Sequence, residues 1–162
     1  MKKMDHIIVH CSDSPFGSVD DIRAWHQAKG WKDVGYHFVI LNGRVNADLK
    51  LPALDGSIEC GRSLDGDAFI EDNEVGAHAL GYNESSIGVC LIGMKDPKSG
   101  VVTFTIKQFE ALKALLADLC KHYGVPVENV LGHRETDSGK AQGKTCPDFD
   151  VAAFRTWLKG RI

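Results

Sequence analysis

Cysteine is scarce in this 162-residue chain: five residues, an odd and scattered set at positions 11, 60, 90, 120 and 146. A chain of this length does not need staples, so a disulfide scaffold is excluded as the organising principle and reduced thiols are expected. Proline is equally sparse, with five residues and no proline- or serine-rich stretch to mark a linker. No hydrophobic run approaches the length of a membrane-spanning helix, so membrane insertion is not expected. There is no excess of one charge either: 19 basic against 22 acidic residues leave −3, which offers no general attraction for nucleic acid or an anionic membrane. Met1-Lys2-Lys3 resembles the start of a secretion leader, but Asp5 and His6 interrupt it and the apolar run Ile7–Val9 is too short. Synthesis in the cytoplasm is the expectation. No internal repeat or low-complexity tract is present, and 43% hydrophobic with 25% charged residues is an ordinary globular balance. One domain over residues 1–162 is therefore expected.

What is present is a readable series of elements. His6–Cys11 is a short β-branched run that reads as a buried strand, closed by the turn-prone Ser12-Asp13-Ser14-Pro15. Ser18 with Asp21 resembles a capping box; Val19, Ile22 and Trp25 keep helical spacing, and Gly30 supplies the stop. Tyr36–Leu41 is dense in strand formers, and Asn42-Gly43 followed by Val45, with a second turn at Asp55-Gly56, predicts a meander of short strands. Ile87–Ile92 is apolar on both faces, as a central strand requires. Thr105 and Gln108 form another capping-box pattern, with Ile106, Phe109, Leu112, Leu116, Leu119 and Tyr123 on one helical face ending at Gly124. The segment from Val125 to Leu131 is extended and ends in Gly132-His133, and a closing helix is expected from Val151 to Leu158. Strand, helix, strand implies a right-handed crossover to a parallel neighbour. The expected class is α/β: a single domain with a central mixed β-sheet flanked by about three α-helices.

Chemistry follows from placement. His10 and His133 each end an expected strand, and open α/β sheets gather their sites at the carboxyl ends of strands. Cys146 lies thirteen residues after His133 in a loop long enough to return to the same edge. Two imidazoles and one thiolate would hold zinc with a fourth position open to water, the arrangement of catalytic sites. On spacing alone the plainer reading stands beside it: strand-capping histidines and a small buried cysteine. A third reading makes Cys146 or Cys11 a metal-free nucleophile beside a histidine.

Six blocks occur in order: Val9-His10-Cys11-Ser12, Gly35 to Ile40, Gly76 to Asn83, Ser86 to Gly93, Gly132-His133-Arg134-Glu135 and Lys144 to Asp150. Together they resemble the zinc-dependent N-acetylmuramoyl-L-alanine amidases of the T-odd phage lysozyme type and, more distantly, the peptidoglycan recognition proteins. The likeness runs from about residue 5 to 158; residues 46–57 and the loop Thr136–Gly143 depart from the phage pattern. It implies one Zn2+ per chain on His10, His133 and Cys146, with Tyr36 and Lys144 serving catalysis. It implies that His78 contacts the muramyl peptide, and leaves Glu135 to orient a histidine or act on water. The implied activity is cleavage between N-acetylmuramic acid and L-alanine in bacterial peptidoglycan by a phage or prophage endolysin, made in the host cytoplasm and acting on the wall after release. The same family includes non-hydrolysing binding modules and members that bind a phage RNA polymerase, which is the alternative. Asn83 reads as a turn former, His6, His26, His37 and His122 as structural or surface residues, and Cys11 as buried on the far side of its strand.

Overall fold

The computed structural model describes residues 1–162. Its elements are β1 (Lys2–Lys3), β2 (His6–Cys11), α1 (Val19–Ala28), β3 (Phe38–Ile40), β4 (Ile58–Cys60), β5 (Phe69–Ile70), β6 (Ser86–Leu91), α2 (Ile106–Tyr123), β7 (Val130–Gly132), α3 (Asp137–Ala141) and α4 (Val151–Leu158). Five strands form one mixed sheet in the order β4-β3-β6-β2-β7, in which only the β3–β4 pair is antiparallel; β1 and β5 form a separate two-stranded ribbon. The central position of β6, buried along its whole length, agrees with its two-faced apolar pattern.

Alternation splits the sheet into two unlike faces. Ile7 and Val9 of β2, Ile87, Val89 and Leu91 of β6, Ile40 of β3 and Val130 of β7 point into an 18-residue apolar cluster with Leu112, Leu116 and Leu119 of α2 and Phe154 and Leu158 of α4. The opposite face packs under α1 in a cluster of seven, among them Val19, Ile22, Val39 and Cys90. His10 lies in register with Cys90, and Ile8 with Gly88, on that second face. The sheet therefore has a dry side and a side that carries chemistry.

The helix boundaries follow local chemistry. The Thr105 hydroxyl accepts the Gln108 N–H, and the Gln108 carboxamide accepts the Thr105 N–H, so the expected capping box is formed in full. Gln108 is nevertheless buried, because its Nε2 also donates to the carbonyls of Ile40 and Ile92 and ties α2 to the ends of β3 and β6. The helix ends at Gly124 in the left-handed region, φ 68°. Ile106, expected on the buried face, is 80% exposed: it lies two residues from Gln108, which puts it about 200° around the helix. Ser18 caps α1 by accepting from the Asp21 N–H.

Four expectations are corrected. Asn42-Gly43 makes a turn but no two-residue hairpin, since the Asn42 side chain is committed to the Pro15 and Thr103 carbonyls; the strand that returns beside β3 is β4, after a loop closed by Leu41 N–H to Ser57 O and Gly56 N–H to Leu41 O. The crossover through α2 delivers β7 to β2, not to β6. Residues 137–141, read as loop, form the short helix α3, so the helices number four. Trp25 is 37% exposed rather than buried, because the inward stripe of α1 runs through Val19, Ile22 and His26.

Candidate metal centre

Parallel register brings the two strand-end histidines level. Val9 pairs with Gly132 across β2 and β7, so the next residue of each strand, His10 and His133, emerges at the same edge, with ring centroids 4.7 Å apart. Cys146 reaches that edge because the Arg134 N–H donates to the Cys146 carbonyl at 2.8 Å, stitching its loop to the turn that carries His133. Gly132 lets the two segments pack closely there, since a Cβ would sit 3.0 Å from the Pro147 ring. The ligating atoms of His10, His133 and Cys146 all lie within 4.8 Å of one another, with Cys146 Sγ 3.9 Å from His10 Nδ1.

The surroundings suit ligation. His10 is almost fully buried, and burial together with the nearby rings of His78 and His133 pushes its pKa well down. Burial and then the Lys144 ammonium lower that of His133. Both rings are thus held neutral, with lone pairs available. The Cys11 N–H donates to Cys146 Sγ at 3.2 Å and would stabilise a thiolate. Donor atoms around a tetrahedral zinc ion sit roughly 3.5 Å apart, so this trio needs little movement to share one. Two imidazoles and a sulfur are also the donor set that zinc accepts readily. The residues fit the ion.

The centre opens into a cleft of about 390 Å³ between α1, the segment leading into β3 and the loops after β2 and β7. Tyr36 is half-buried beside it, its ring 5.0 Å from that of His10; burial and then the neighbouring thiols, Cys90 foremost, hold its phenol protonated well above the usual range. Lys144 is exposed at the cleft, near His133, where α3 holds its backbone: its N–H donates to the Gly139 carbonyl, and Gly139 packs so tightly under the His133 carbonyl that any side chain would collide. Trp25, Trp31 and Lys29 line the far end of the cleft, and Trp31, His26, Tyr36 and His10 form a continuous row of tilted rings. That wall was missed in the sequence because Trp25 fits a core stripe; the extra signal was a second tryptophan just beyond the helix stop.

Two further expected residues are held by neighbours within the protein. Both oxygens of Glu135 are taken by Arg155, at 3.0 and 2.8 Å, and Oε1 also accepts the Gly132 N–H. Glu135 therefore braces the turn before His133 and is not among the groups lining the cleft. His78 is buried with both ring nitrogens engaged, Nδ1 at 2.9 Å from His10 Nε2 and Nε2 at 3.3 Å from the Ser86 hydroxyl. It lines the cleft beside His10, with neither ring nitrogen free to meet a ligand there. Asn83 is a turn former as expected, its Oδ1 accepting the N–H groups of His78 and Ala79. Cys11 is buried as expected, but its thiol is not turned away: it meets Cys146 and lies 4.0 Å from Asp148, because alternation ends with the strand. His26 and His37 are structural, each accepting a backbone N–H on Nδ1, from Gly35 and Gly88.

Comparison with known proteins gives a consistent picture. A family model described as N-acetylmuramoyl-L-alanine amidase matches residues 1–149. The endolysin of Escherichia phage T7 is 38% identical over 162 residues, 98% of this chain and 88% of that protein. Peptidoglycan-recognition protein LB of Drosophila melanogaster is 30% identical over 153 residues, 85% of this chain and 54% of that protein. Among solved structures, N-acetylmuramoyl-L-alanine amidase LysC from Clostridium intestinale URNW superposes with a TM-score of 0.71 at 22% identity, over 98% of this chain and 87% of that one, a likeness of fold.

Proposed function

The chain belongs to the N-acetylmuramoyl-L-alanine amidase family, and from that premise we propose how its cleft works. It is a peptidoglycan amidase of the endolysin kind, cutting the amide between the lactyl group of N-acetylmuramic acid and L-alanine. The observation that carries the mechanistic reading is the convergence of one sulfur and two neutral imidazoles at a cleft. His10, His133 and Cys146 hold one zinc ion. Zinc in such a site supplies Lewis acidity to an amide carbonyl and acidity to a water near neutral pH.

The chain's own residues do the rest. Tyr36, with its phenol protonated, donates a hydrogen bond to the carbonyl oxygen as negative charge develops on it. Lys144 adds a cation at the cleft, where it stabilises the same charge and offers a proton toward the leaving amine. Burial of His10 and the half-buried phenol keep bulk water from weakening these interactions. The row of rings from His10 to Trp31 gives the muramyl peptide an extended apolar wall on which to lie.

The amidase domain spans 1–162: the family match ends at residue 149, but Phe154 and Leu158 of α4 complete the same apolar cluster that α2 builds on the sheet. No helix is long and apolar enough to cross a membrane. The enzyme is made in the host cytoplasm and reaches the wall on release, as the resemblance to phage endolysins implies. Digestion of purified peptidoglycan followed by mass spectrometry tests the reaction. Free peptides beginning with L-alanine are expected; new reducing sugar ends in their place would overturn it.

A further inference from the structure

Behind His10 lies a chain of polar groups that none of the catalytic roles above uses. His10 Nδ1 faces Cys146 Sγ at 3.9 Å, and its Nε2 meets His78 Nδ1 at 2.9 Å. Two ring nitrogens at that distance share one proton, and either ring can supply it. The placement of the ligands decides which. His10 Nδ1 is the nitrogen turned toward the Cys146 sulfur, so ligation through it leaves the hydrogen on Nε2. His78 Nδ1 is then the acceptor, and His78 Nε2 gives its own hydrogen to the Ser86 hydroxyl at 3.3 Å. His10 Nε2–H must then be the donor, and the lone pair of His10 is on Nδ1, aimed at the other two ligand side chains.

The fold is shaped around this arrangement. Ser86, Gly88 and Cys90 alternate onto the face of β6 that His10 shares, and the His78 ring lies over Gly88. A Cβ at Gly88 would sit 2.8 Å from that ring, and one at Gly76 equally close. Asn83 fixes the His78 backbone from behind. Glycine in the middle of a central strand otherwise weakens it, so the vacancy has a reason: it is where the histidine goes.

We propose that His78, backed by Ser86, is a positioning residue that fixes the tautomer and ring orientation of His10, so that Nδ1 is presented for zinc before the ion arrives. The inference rests on the reading of His10 as a ligand. It differs from substrate contact: His78 acts through His10.

The test uses the full-length protein and its His78→Leu, His78→Asn and Ser86→Ala variants. Zinc affinity is read by competition with a chromophoric chelator, and the ring tautomer of His10 by long-range proton–nitrogen NMR on the metal-free protein. His78→Leu weakens zinc by on the order of 10- to 100-fold and leaves His10 a mixture of tautomers. Asparagine, whose Oδ1 falls near the place of Nδ1, restores most of the affinity and the single Nε2–H form. Ser86→Ala gives a smaller loss in the same direction and decides the matter should His78→Leu not fold. Wild-type affinity with an unchanged Nε2–H tautomer in both His78→Leu and Ser86→Ala would overturn the proposal. Failure of the wild-type protein to bind zinc would instead contradict the ligand assignment, while the tautomer signal still reports on His78.

Discussion

The two faces of the central sheet divide the labour of the molecule. Under α2 and α4, eighteen buried apolar side chains close on one another, and the polar Gln108 enters only with its carboxamide fully bonded. Under α1, seven apolar residues share their face with His10, His37 and His78, whose ring nitrogens are engaged by backbone, by Ser86, by the sulfur of Cys146 or by one another. Burial on the first face stabilises without direction; hydrogen bonds on the second orient. The difference teaches that damage to the first face should appear as lost stability and damage to the second as lost chemistry.

The sharpest way to break that division is Cys146→Ser, which leaves the apolar cluster untouched. It is expected to abolish zinc retention and wall-lytic turnover while the thermal midpoint of the metal-free protein barely moves. Leu116→Ala, on the other face, is expected to cost about 2–5 kcal/mol by denaturant unfolding, with zinc binding and turnover preserved in the folded fraction. If the alanine variant lost zinc affinity at unchanged stability, the division would be wrong. Gly88→Ala sits between them: the new methyl drives into His78, so about 1–3 kcal/mol of stability is lost together with a disproportionate fall in activity. Glu135→Gln has the smallest effect, up to about 1 kcal/mol, since its partner pair with Arg155 is partly solvated. Turnover should stay within a few-fold; a collapse of kcat would return Glu135 to the reaction.

Acid provides a further contrast between the faces. Burial holds the pKa values of His10, His37 and His78 below their unfolded value near 6.5. Below that pH the unfolded chain binds more protons than the native one, so stability is fully present above about pH 6.5 and is lost as pH falls. Unfolding of the metal-free protein at pH 7.5 and 5.5 should show this slope, and His37→Asn should flatten it. A pH-independent midpoint would contradict the neutral histidines.

Much of this division was legible in the sequence, for reasons tied to particular residues. β2, β6, α2 and α4 were readable because their patterns are local: a β-branched run, a two-faced apolar run and capped helical stripes. The level placement of His10 and His133 was readable because parallel strands align their ends. What escaped depended on partners distant in sequence. Asn42-Gly43 has the local chemistry of a tight hairpin, yet Pro15 and Thr103 claim the Asn42 side chain. Trp25 fits a core stripe until the cleft beside α1 is known. Glu135 near a histidine suggests chemistry until Arg155, twenty residues on, takes its carboxylate. His78 was visible as a glycine-flanked histidine, but its role depends on the vacancy at Gly88, which only strand register reveals.

Three side chains from the ends of two strands and a returning loop hold the one zinc ion that the proposed reaction requires. Metal analysis of the purified protein, paired with activity before and after chelation, tests it most directly. About one zinc per chain is expected, with loss of wall lysis on chelation, recovery on adding zinc and no zinc retained by Cys146→Ser. Full activity in a protein stripped of metal, or stoichiometric zinc in the serine variant, would contradict it.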